Sequence, residues 1–397
     1  MIPALEVYRS LPRYLAARTL GARIPGLVAG PLAPLRLVTR EEPVLPRAPG
    51  WARLHPRLAG ICGSDLATVS GTASMYFSAL VSLPFVPGHE VVADLLDDCG
   101  DLPAGTRVVL DPLLACAARD LPPCPACAES AGNRCTQVGA GHLAPGLQTG
   151  FCADTSGGWS GRLIAHRSQL HAVPDTIPDE QAVLVEPLAC ALNVARRAQV
   201  PPGGSVLVVG AGAVGLLTVL ALRSTSGAGS ITVVAKHPRQ VELARRLGAT
   251  EVLSPGEALG GVRRATGAHR LDPERGAPYL LGGVDVAVDA VGSGATLDVA
   301  LRTTRAGGRV VLAGMPPPGV DLAPAWYREL DVVGAYASGP EDFPAALTLA
   351  AQAPLAPLAG LVGARYPLTQ WRQALDHALS AGRLGTTKVV FDTRATR

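Results

Sequence analysis

The chain is poor in features that mark several other classes of protein. Aromatic residues make up 4% of its 397 residues, so the stacking platforms that bind single-stranded nucleic acid are not expected. The formal net charge is only +3, and the Lys and Arg residues are scattered. This distribution predicts neither a nucleic-acid interface nor a surface for anionic membranes. The first twenty residues are interrupted by Arg9, Arg13 and Arg18, so they lack the apolar segment of a secretory signal. We therefore expect a soluble cytoplasmic protein.

One largely apolar run, residues 206–222, approaches the length of a membrane span. Glycines at 210, 212 and 215 interrupt it, and a strand, a tight turn and a helix account for it better. With 48% hydrophobic and 17% charged residues, the chain has the composition of a globular protein. At roughly 100–200 residues per domain, its length predicts two domains.

The eight cysteines are unevenly distributed, because four of them lie between residues 116 and 135. An even count suits disulfides in a small secreted domain, whereas clustered cysteines in a large chain without a signal more often bind metal. The cysteines are Cys62, Cys99, Cys116, Cys124, Cys127, Cys135, Cys152 and Cys190.

The hydrophobic pattern changes character along the chain. Residues 1–34 form a lead-in with a short helix near 12–20, and residues 35–115 contain short strands at 35–38, 51–54, 90–95 and 107–110. These strands predict a β-rich domain. From about residue 184, strands at 206–209, 231–234, 284–288 and 310–312 alternate with helices, which predicts a doubly wound parallel sheet. Residues 255–280 are expected to form a helix and a variable loop.

The predicted fold class is therefore α/β, with domain boundaries near residues 183 and 334. The first domain covers residues 1–183 and contains a cysteine-rich lobe at 111–137. The second covers residues 184–334. Residues 335–397 return to the first domain through an amphipathic helix at 368–380 and a strand at 388–391.

A Gly-Ala-Gly-Ala-Val-Gly segment at 210–215 directly follows a predicted strand and opens a helix. This is the context that a dinucleotide-binding fingerprint requires, since its glycines allow a tight turn, close approach of a pyrophosphate and close helix–strand packing. The helix N-terminus offers N–H groups to the phosphates. A glycine-rich turn without a ligand is the alternative. The predicted cofactor-contacting residues here are Gly210, Gly212, Ala213, Val214 and Gly215, with Val291 and Gly292 after a later strand.

Two short segments contain residue types that bind metal ions. Cys62 lies in Ile-Cys-Gly-Ser-Asp, and His89 lies in Pro-Gly-His-Glu. Cys and His are preferred zinc ligands, and the hydroxyl of Ser64 beside the cysteine can handle a proton. Taken singly, Cys62 is equally well a buried core thiol and His89 a core histidine with satisfied hydrogen bonds.

Together with the glycine fingerprint, these segments resemble the medium-chain dehydrogenase/reductase superfamily, in particular its zinc-dependent alcohol, polyol and threonine dehydrogenases. The resemblance extends over most of the chain from about residue 35, and it includes the cysteine cluster and a Val-Glu-Pro-Leu segment at 185–188. It implies a GroES-like catalytic domain joined to a Rossmann domain, and hydride transfer between a nicotinamide cofactor and an alcohol or carbonyl carbon.

The resemblance also implies a catalytic zinc that polarises the substrate oxygen. Cys62 and His89 match its ligands, and Glu90 and Glu186 match two acidic positions, of which one binds directly and the other through water. Asp65 matches a carboxylate that orients His89. Ser64 matches the first member of a proton relay. Many relatives continue that relay through a histidine where this chain has Ala67, so the route of the proton stays open.

The cysteine cluster has the spacing C-x2-C-x7-C at Cys124, Cys127 and Cys135. This matches three ligands of the structural zinc lobe in the resembling family. Cys116 is the candidate fourth ligand, although five extra residues follow it, because loops tolerate insertions. The resemblance therefore implies two zinc ions per chain. A loop with free thiols and a zinc-ribbon nucleic-acid module are the alternatives.

The second strand of the predicted Rossmann domain ends at Ala235, where dehydrogenases that use NAD carry an acidic residue. The following residues include Lys236, His237 and Arg239, and their cationic groups favour the 2′-phosphate of NADP(H). A solvated loop and helix start is the alternative interpretation.

Two other functions remain open at this point: zinc-independent reduction of an activated C=C or C=N bond on the same fold, and a non-catalytic zinc or nucleotide-binding protein. A small-molecule substrate is expected, and the resemblance implies a homodimer or homotetramer. The segments expected to line the substrate cleft are Ser64, Thr68 and residues 70–85 and 151–159. They contain no charged anchor that would identify the substrate.

Overall fold

A computed structural model describes residues 1–21, 25–316, 318–352 and 358–395. Its strands, in chain order, are β1 (Ile2–Val7), β2 (Leu35–Arg40), β3 (Trp51–Gly60), β4 (Val91–Leu95), β5 (Arg107–Leu110), β6 (Leu163–His166), β7 (Leu170–Ala172), β8 (Ser205–Val209), β9 (Ser230–Val234), β10 (Glu251–Leu253), β11 (His269–Leu271), β12 (Tyr279–Leu281), β13 (Val284–Asp289), β14 (Thr304–Leu312), β15 (Asp331–Gly334), β16 (Val362–Tyr366) and β17 (Lys388–Asp392).

The α-helices are α1 (Leu11–Leu20), α2 (Pro25–Val28), α3 (Gly63–Val69), α4 (Pro125–Ala128), α5 (Asp179–Ala182), α6 (Val185–Ala198), α7 (Ala213–Thr225), α8 (Pro238–Arg246), α9 (Ala258–Thr266), α10 (Gly294–Thr303), α11 (Ala323–Tyr327), α12 (Asp342–Gln352) and α13 (Trp371–Ser380). Short 3-10 turns lie at Met75–Leu80, Ala117–Arg119, Gly132–Arg134, Arg167–Gln169, Pro255–Glu257 and Leu368–Gln370. None of the described helices is both long enough and apolar enough to cross a membrane.

The chain forms two compact units, and the first comprises Met1–Glu186 and Gly339–Arg397. Its main sheet has the strand order β16-β17-β3-β4-β5-β7, and β6 also pairs with β3. The long strand β3 is central because its two ends pair with different neighbours. Trp159 is fully buried in this core, and its ring lies 5.1 Å from that of Phe391 on β17. The C-terminal strand therefore completes the first unit.

The second unit, Pro187–Ser338, contains a six-stranded sheet in the order β10-β9-β8-β13-β14-β15. All five strand pairs are parallel. The buried β8 lies where the strand order reverses, because β9 and β13 flank it on opposite sides. In doubly wound sheets this is the point where dinucleotides bind, at the carboxyl ends of the strands. The fold confirms the predicted α/β class with a Rossmann-type parallel sheet.

Several elements of the structure differ from the sequence prediction. The N-terminal lead-in contains β1, which pairs in antiparallel fashion with β2 across the inserted helix α1. The variable loop predicted within residues 255–280 instead contains the β11–β12 hairpin. Helix α12 was not predicted, and its apolar residues lack a strong helical stripe. The unit boundaries lie a few residues beyond the predicted positions 183 and 334.

Candidate functional site

Cys62, His89 and Glu90 lie together in the first unit. One potential ligand atom from each residue lies within 4.8 Å of the other two. Cys62 lies two residues after the end of β3 and directly precedes α3, whereas His89 and Glu90 directly precede β4. Because β3 and β4 are antiparallel neighbours, the end of one strand lies beside the start of the other. The sheet register thus brings together two segments that are separated by 26 residues in the sequence.

Asp65 connects the two ligand segments. Its Oδ2 accepts a hydrogen bond from the Cys62 backbone N–H at 2.9 Å, which caps the first turn of α3. Its Oδ1 lies 3.6 Å from His89 Nδ1, and both atoms are buried without a hydrogen-bond partner in the described part of the chain. Burial disfavours the charged imidazole, but Asp65 and the Cys62 thiol outweigh it and raise the pKa of His89 well above its usual value. This carboxylate–histidine arrangement suits a histidine that binds metal through its other ring nitrogen.

Glu90 forms a buried ion pair with Lys388 on β17. The Lys388 ammonium donates to both carboxylate oxygens at 2.6 Å, and both side chains are almost completely buried. Burial alone would lower the pKa of Lys388, but the charge of Glu90 raises it. The carboxylate also occupies space that a side chain at Gly60 would need, since a Cβ there would lie 1.8 Å from Glu90 Oε2. Lys388 was missed in the sequence, where it is a single residue at the start of a predicted strand.

Glu186 lies outside the tight group formed by Cys62, His89 and Glu90. It is buried near the start of α6. Its charge acts on two other groups in this unit. It helps to raise the pKa of Lys388, and it adds to the desolvation that raises the pKa of Asp111 to about 7. Glu90 therefore groups with Cys62 and His89. Glu186 lies outside that group, although its charge acts on Lys388, the partner of Glu90.

The side chains expected around the metal ligands differ in exposure. Ser64 is exposed on the first turn of α3, next to Cys62. Phe151 packs beside His89, with 5.8 Å between the two rings, and its ring lies 5.3 Å from that of Phe85. An apolar wall therefore lies directly beside the histidine, and it comes from the two segments that were expected to line the cleft.

The four clustered cysteines also converge. The sulfurs of Cys116, Cys124, Cys127 and Cys135 all lie within 4.8 Å of one another. The Cys116 and Cys135 sulfurs are 3.6 Å apart, close to the separation of about 3.8 Å that tetrahedral Zn–S bonds of about 2.3 Å impose. Backbone N–H groups of Thr136 and Cys127 lower the pKa of Cys124 to about 5 and so favour its thiolate, whereas burial raises the pKa values of Cys127 and Cys135. None of the eight cysteines forms a disulfide.

The glycine fingerprint lies between β8 and α7 in the second unit, with Gly212 capping the helix. Gly210 has φ +107°, and a Cβ there would lie 2.3 Å from a methyl carbon of Val291. A Cβ at Gly215 would lie 2.0 Å from the Gly210 carbonyl oxygen. Only glycine fits at these two positions, so the turn can stay tight and the helix can approach the strand.

The loop after β13 lies beside the glycine fingerprint. Asp289 is fully buried, and its Oδ1 accepts hydrogen bonds from the backbone N–H groups of Val291 and Gly292, each at 3.0 Å. These bonds hold Val291 against the fingerprint loop. Asp289 was missed in the sequence because an acidic residue at the end of a strand has no distinctive pattern.

Ala235 is buried at the end of β9, and Lys236 is exposed. The backbone N–H groups of Lys236 and His237 both donate to the Gln240 side-chain oxygen at 3.2 Å. The guanidinium of Arg239 pairs with Glu242 at 2.7 Å. The end of β9 therefore presents no carboxylate at position 235 and one exposed lysine immediately after it.

Both ligand groups fit zinc in donor chemistry. Thiolate, imidazole and carboxylate donors suit a catalytic site with a remaining open position, and four thiolates suit a closed structural site. The orphaned His89 Nδ1 and Asp65 Oδ1 atoms also fit a histidine that is oriented for metal binding. A β-rich unit with this ligand set, joined to a unit with a Rossmann fingerprint, defines the class of two-domain zinc-type dehydrogenases.

Comparison with known proteins agrees with that class. Residues 48–175 match the alcohol dehydrogenase GroES-like domain, and residues 213–352 match the zinc-binding dehydrogenase domain. The chain is 31% identical over 292 residues to L-idonate 5-dehydrogenase from Vitis vinifera, covering 72% of each chain. It is 30% identical over 302 residues to sorbitol dehydrogenase from Arabidopsis thaliana, covering 72% of this chain and 74% of the relative.

Among solved structures, 2R,3R-butanediol dehydrogenase from Bacillus subtilis has the same fold. Its TM-score is 0.73 at 22% sequence identity, with 99% of this chain and 100% of that chain covered. The chain belongs to the zinc-dependent medium-chain dehydrogenase/reductase superfamily, which confirms the predicted resemblance.

Proposed function

We propose that this protein is a zinc-dependent dehydrogenase that transfers hydride between a nicotinamide cofactor and the carbinol or carbonyl carbon of an alcohol or polyol. The convergence of Cys62, His89 and Glu90 within 4.8 Å carries this proposal. The relatives named for idonate and sorbitol support a polyhydroxylated substrate.

Each of the residues at this site has a separate role in the proposed reaction. Cys62 and His89 hold the zinc, together with Glu90 directly or Glu186. When bound, zinc supplies Lewis-acid polarisation of the substrate oxygen. Asp65 holds the His89 ring in position, and the exposed Ser64 hydroxyl exchanges the substrate proton. The Phe151 ring excludes water from one side of the ligand histidine.

Nicotinamide absorbance with a panel of alcohols and polyols tests this function. Polyols with adjacent hydroxyl groups are expected to be oxidised, with cofactor reduced in equal amount. Reduction of activated C=C or C=N substrates without turnover of any alcohol would contradict the proposal and favour the zinc-independent alternative.

We also propose that the cofactor is NADP(H) rather than NAD(H). Ala235 offers no carboxylate to repel a 2′-phosphate, and Lys236 is exposed beside it. Arg239 would have to give up its ion pair with Glu242 to bind the phosphate, so Lys236 is the principal cation for the 2′-phosphate. Ala235→Asp should lower the ratio of kcat/KM for NADP to that for NAD by about ten- to a hundredfold, since a hydrogen bond to a charged group contributes about 1.5–3 kcal/mol.

Ala235→Asn is the matched control, because it adds nearly the same volume without the charge. It should change the ratio much less than Ala235→Asp does. A wild-type preference for NAD, or an equal effect of the two substitutions, would show that the 2′-phosphate does not bind beside Ala235.

We further propose a second, structural zinc at Cys116, Cys124, Cys127 and Cys135, which gives two zinc ions per chain. A homodimer or homotetramer is proposed as well. In the described residues β15 is the edge of the parallel sheet, and Val332 on β15 and Trp326 on α11 are exposed. An exposed strand edge with apolar neighbours is a template for pairing with another chain. A cytoplasmic location stays a prediction from the sequence.

A further inference from the structure

Arg119 is the most deeply buried cation of the cysteine-rich lobe. It has an exposed fraction of 0% and lies in the insertion between Cys116 and Cys124. Among the described residues, its guanidinium donates only to backbone carbonyl groups. The acceptors and distances are Leu114 at 2.9 Å, Ala140 at 2.8 Å, Leu143 at 3.2 Å, Ala144 at 3.3 Å and Gly146 at 2.8 Å.

These bonds join the two ends of the tetracysteine segment. Leu114 precedes Cys116, whereas residues 140–146 follow Cys135. The backbone of Arg119 is itself held to the first ligand, because its N–H donates to the Cys116 carbonyl oxygen at 3.0 Å. The planar guanidinium therefore clamps the chain on both sides of the four sulfurs, with a geometry that a lysine cannot reproduce.

The charge of Arg119 has no carboxylate partner among the residues that the structure describes. In the part of the chain that the structure describes, no carboxylate oxygen lies within 4.0 Å of its guanidinium. Burial lowers the pKa of Arg119, and the groups whose charge opposes this include Cys152, Cys135, Asp154 and Cys116. A buried cation without a counter-charge is strongly unfavourable, so a negative group in the lobe is expected to offset it.

The tetracysteine site supplies such a group when it holds zinc. Four thiolates and one Zn²⁺ carry a net charge of −2, and two of these cysteines, Cys116 and Cys135, act electrostatically on Arg119. We propose that Arg119 is a positioning residue of the structural zinc site, which clamps both ends of the cysteine segment and offsets the negative charge of the zinc–thiolate cluster. The inference rests on the structural zinc of the proposed function.

Zinc release measures this role independently of catalysis. Elemental analysis of the wild-type protein should give about two zinc ions per chain. In Arg119→Met, a chelator should remove the structural zinc at least about tenfold faster, since residues that support metal ligands typically change affinity by about 10–100-fold. With Co²⁺ in place of zinc, the strong thiolate-to-metal absorption of the tetracysteine site should weaken in this variant.

Arg328 provides a matched control in the second unit. It is also buried, and its Nη1 donates to three backbone carbonyls, of which Thr304 is the nearest at 2.7 Å. Arg328→Met should lower the melting temperature and leave zinc release at the wild-type rate. Arg119→Lys keeps the charge but loses the planar set of guanidinium N–H donors. Its rate of zinc release should therefore lie between those of wild type and Arg119→Met.

Zinc release from Arg119→Met at the wild-type rate, with unchanged cobalt absorption, would overturn the proposal. Arg119 would then be a packing residue. If Arg119→Met does not fold, Arg119→Lys decides: faster release supports the proposal, and the wild-type rate overturns it. A wild-type protein with one zinc would also overturn it, without affecting the dehydrogenase. Absence of dehydrogenase activity in a protein with two zinc ions would instead contradict only the proposed function.

Discussion

Cys62→Ala and His89→Ala should each reduce kcat/KM by about a thousandfold or more. Zinc polarisation contributes several kcal/mol to catalysis, and each 1.36 kcal/mol corresponds to about a tenfold change in rate. Cofactor affinity should change little, because the glycine fingerprint lies in the second unit and both substituted residues lie in the first. Steady-state nicotinamide absorbance measures the rate, and calorimetric titration measures cofactor binding.

Cys99→Ala is the control for loss of a cysteine. Cys99 is buried in the first unit, where its sulfur contacts only the Gly50 carbonyl oxygen among the hydrogen bonds of the described residues. This variant should retain most of the activity. Near-normal turnover by Cys62→Ala or His89→Ala would show that the reaction does not depend on zinc at this position.

In the metal-free protein, Lys388→Met should destabilise the first unit by about 3–5 kcal/mol, the usual cost of leaving one partner of a buried ion pair without its counter-charge. Both Glu90 oxygens lose their 2.6 Å hydrogen bonds, and the carboxylate stays buried. Chemical denaturation followed by tryptophan fluorescence is a suitable measurement. Trp159 reports on this unit directly, since its Nε1 donates to the Gly60 carbonyl oxygen at 3.1 Å beside the pair.

The double variant Lys388→Met/Glu90→Gln distinguishes the ion pair from simple packing. Removing the charge of Glu90 as well should recover part of the lost stability, because a neutral amide costs less to bury than an unpaired carboxylate. If the double variant is as unstable as the sum of the two single variants, the two charges do not interact as the geometry indicates.

The sequence predicted the Rossmann unit well because its strands are short apolar runs and its glycines have distinctive spacing. The predicted strand at 206–209 differs from β8 by one residue. The β11–β12 hairpin was missed because residues 255–280 are rich in Pro, Gly and Arg, and β11 is exposed throughout. Its strands carry no period-2 alternation of buried residues from which a strand could be inferred.

The candidate metal ligands were recognisable because Cys62 and His89 lie in short, distinctive segments. Lys388 and Arg119 were not, since their importance comes from burial and from partners far along the chain. Lys388 contacts a residue 298 positions away. The Arg119 guanidinium donates to five backbone carbonyl groups instead of a carboxylate, and no sequence pattern predicts that arrangement.

Removal and restoration of zinc tests the central claim most directly. Wild-type protein is depleted of metal with a chelator, and the rate of nicotinamide reduction by a polyol substrate is then measured before and after zinc is added. The proposed function predicts that turnover falls to background on depletion and returns with Zn²⁺ but not with Mg²⁺, which lacks affinity for thiolate and imidazole ligands. Full turnover by the metal-depleted protein would contradict a zinc-dependent dehydrogenase.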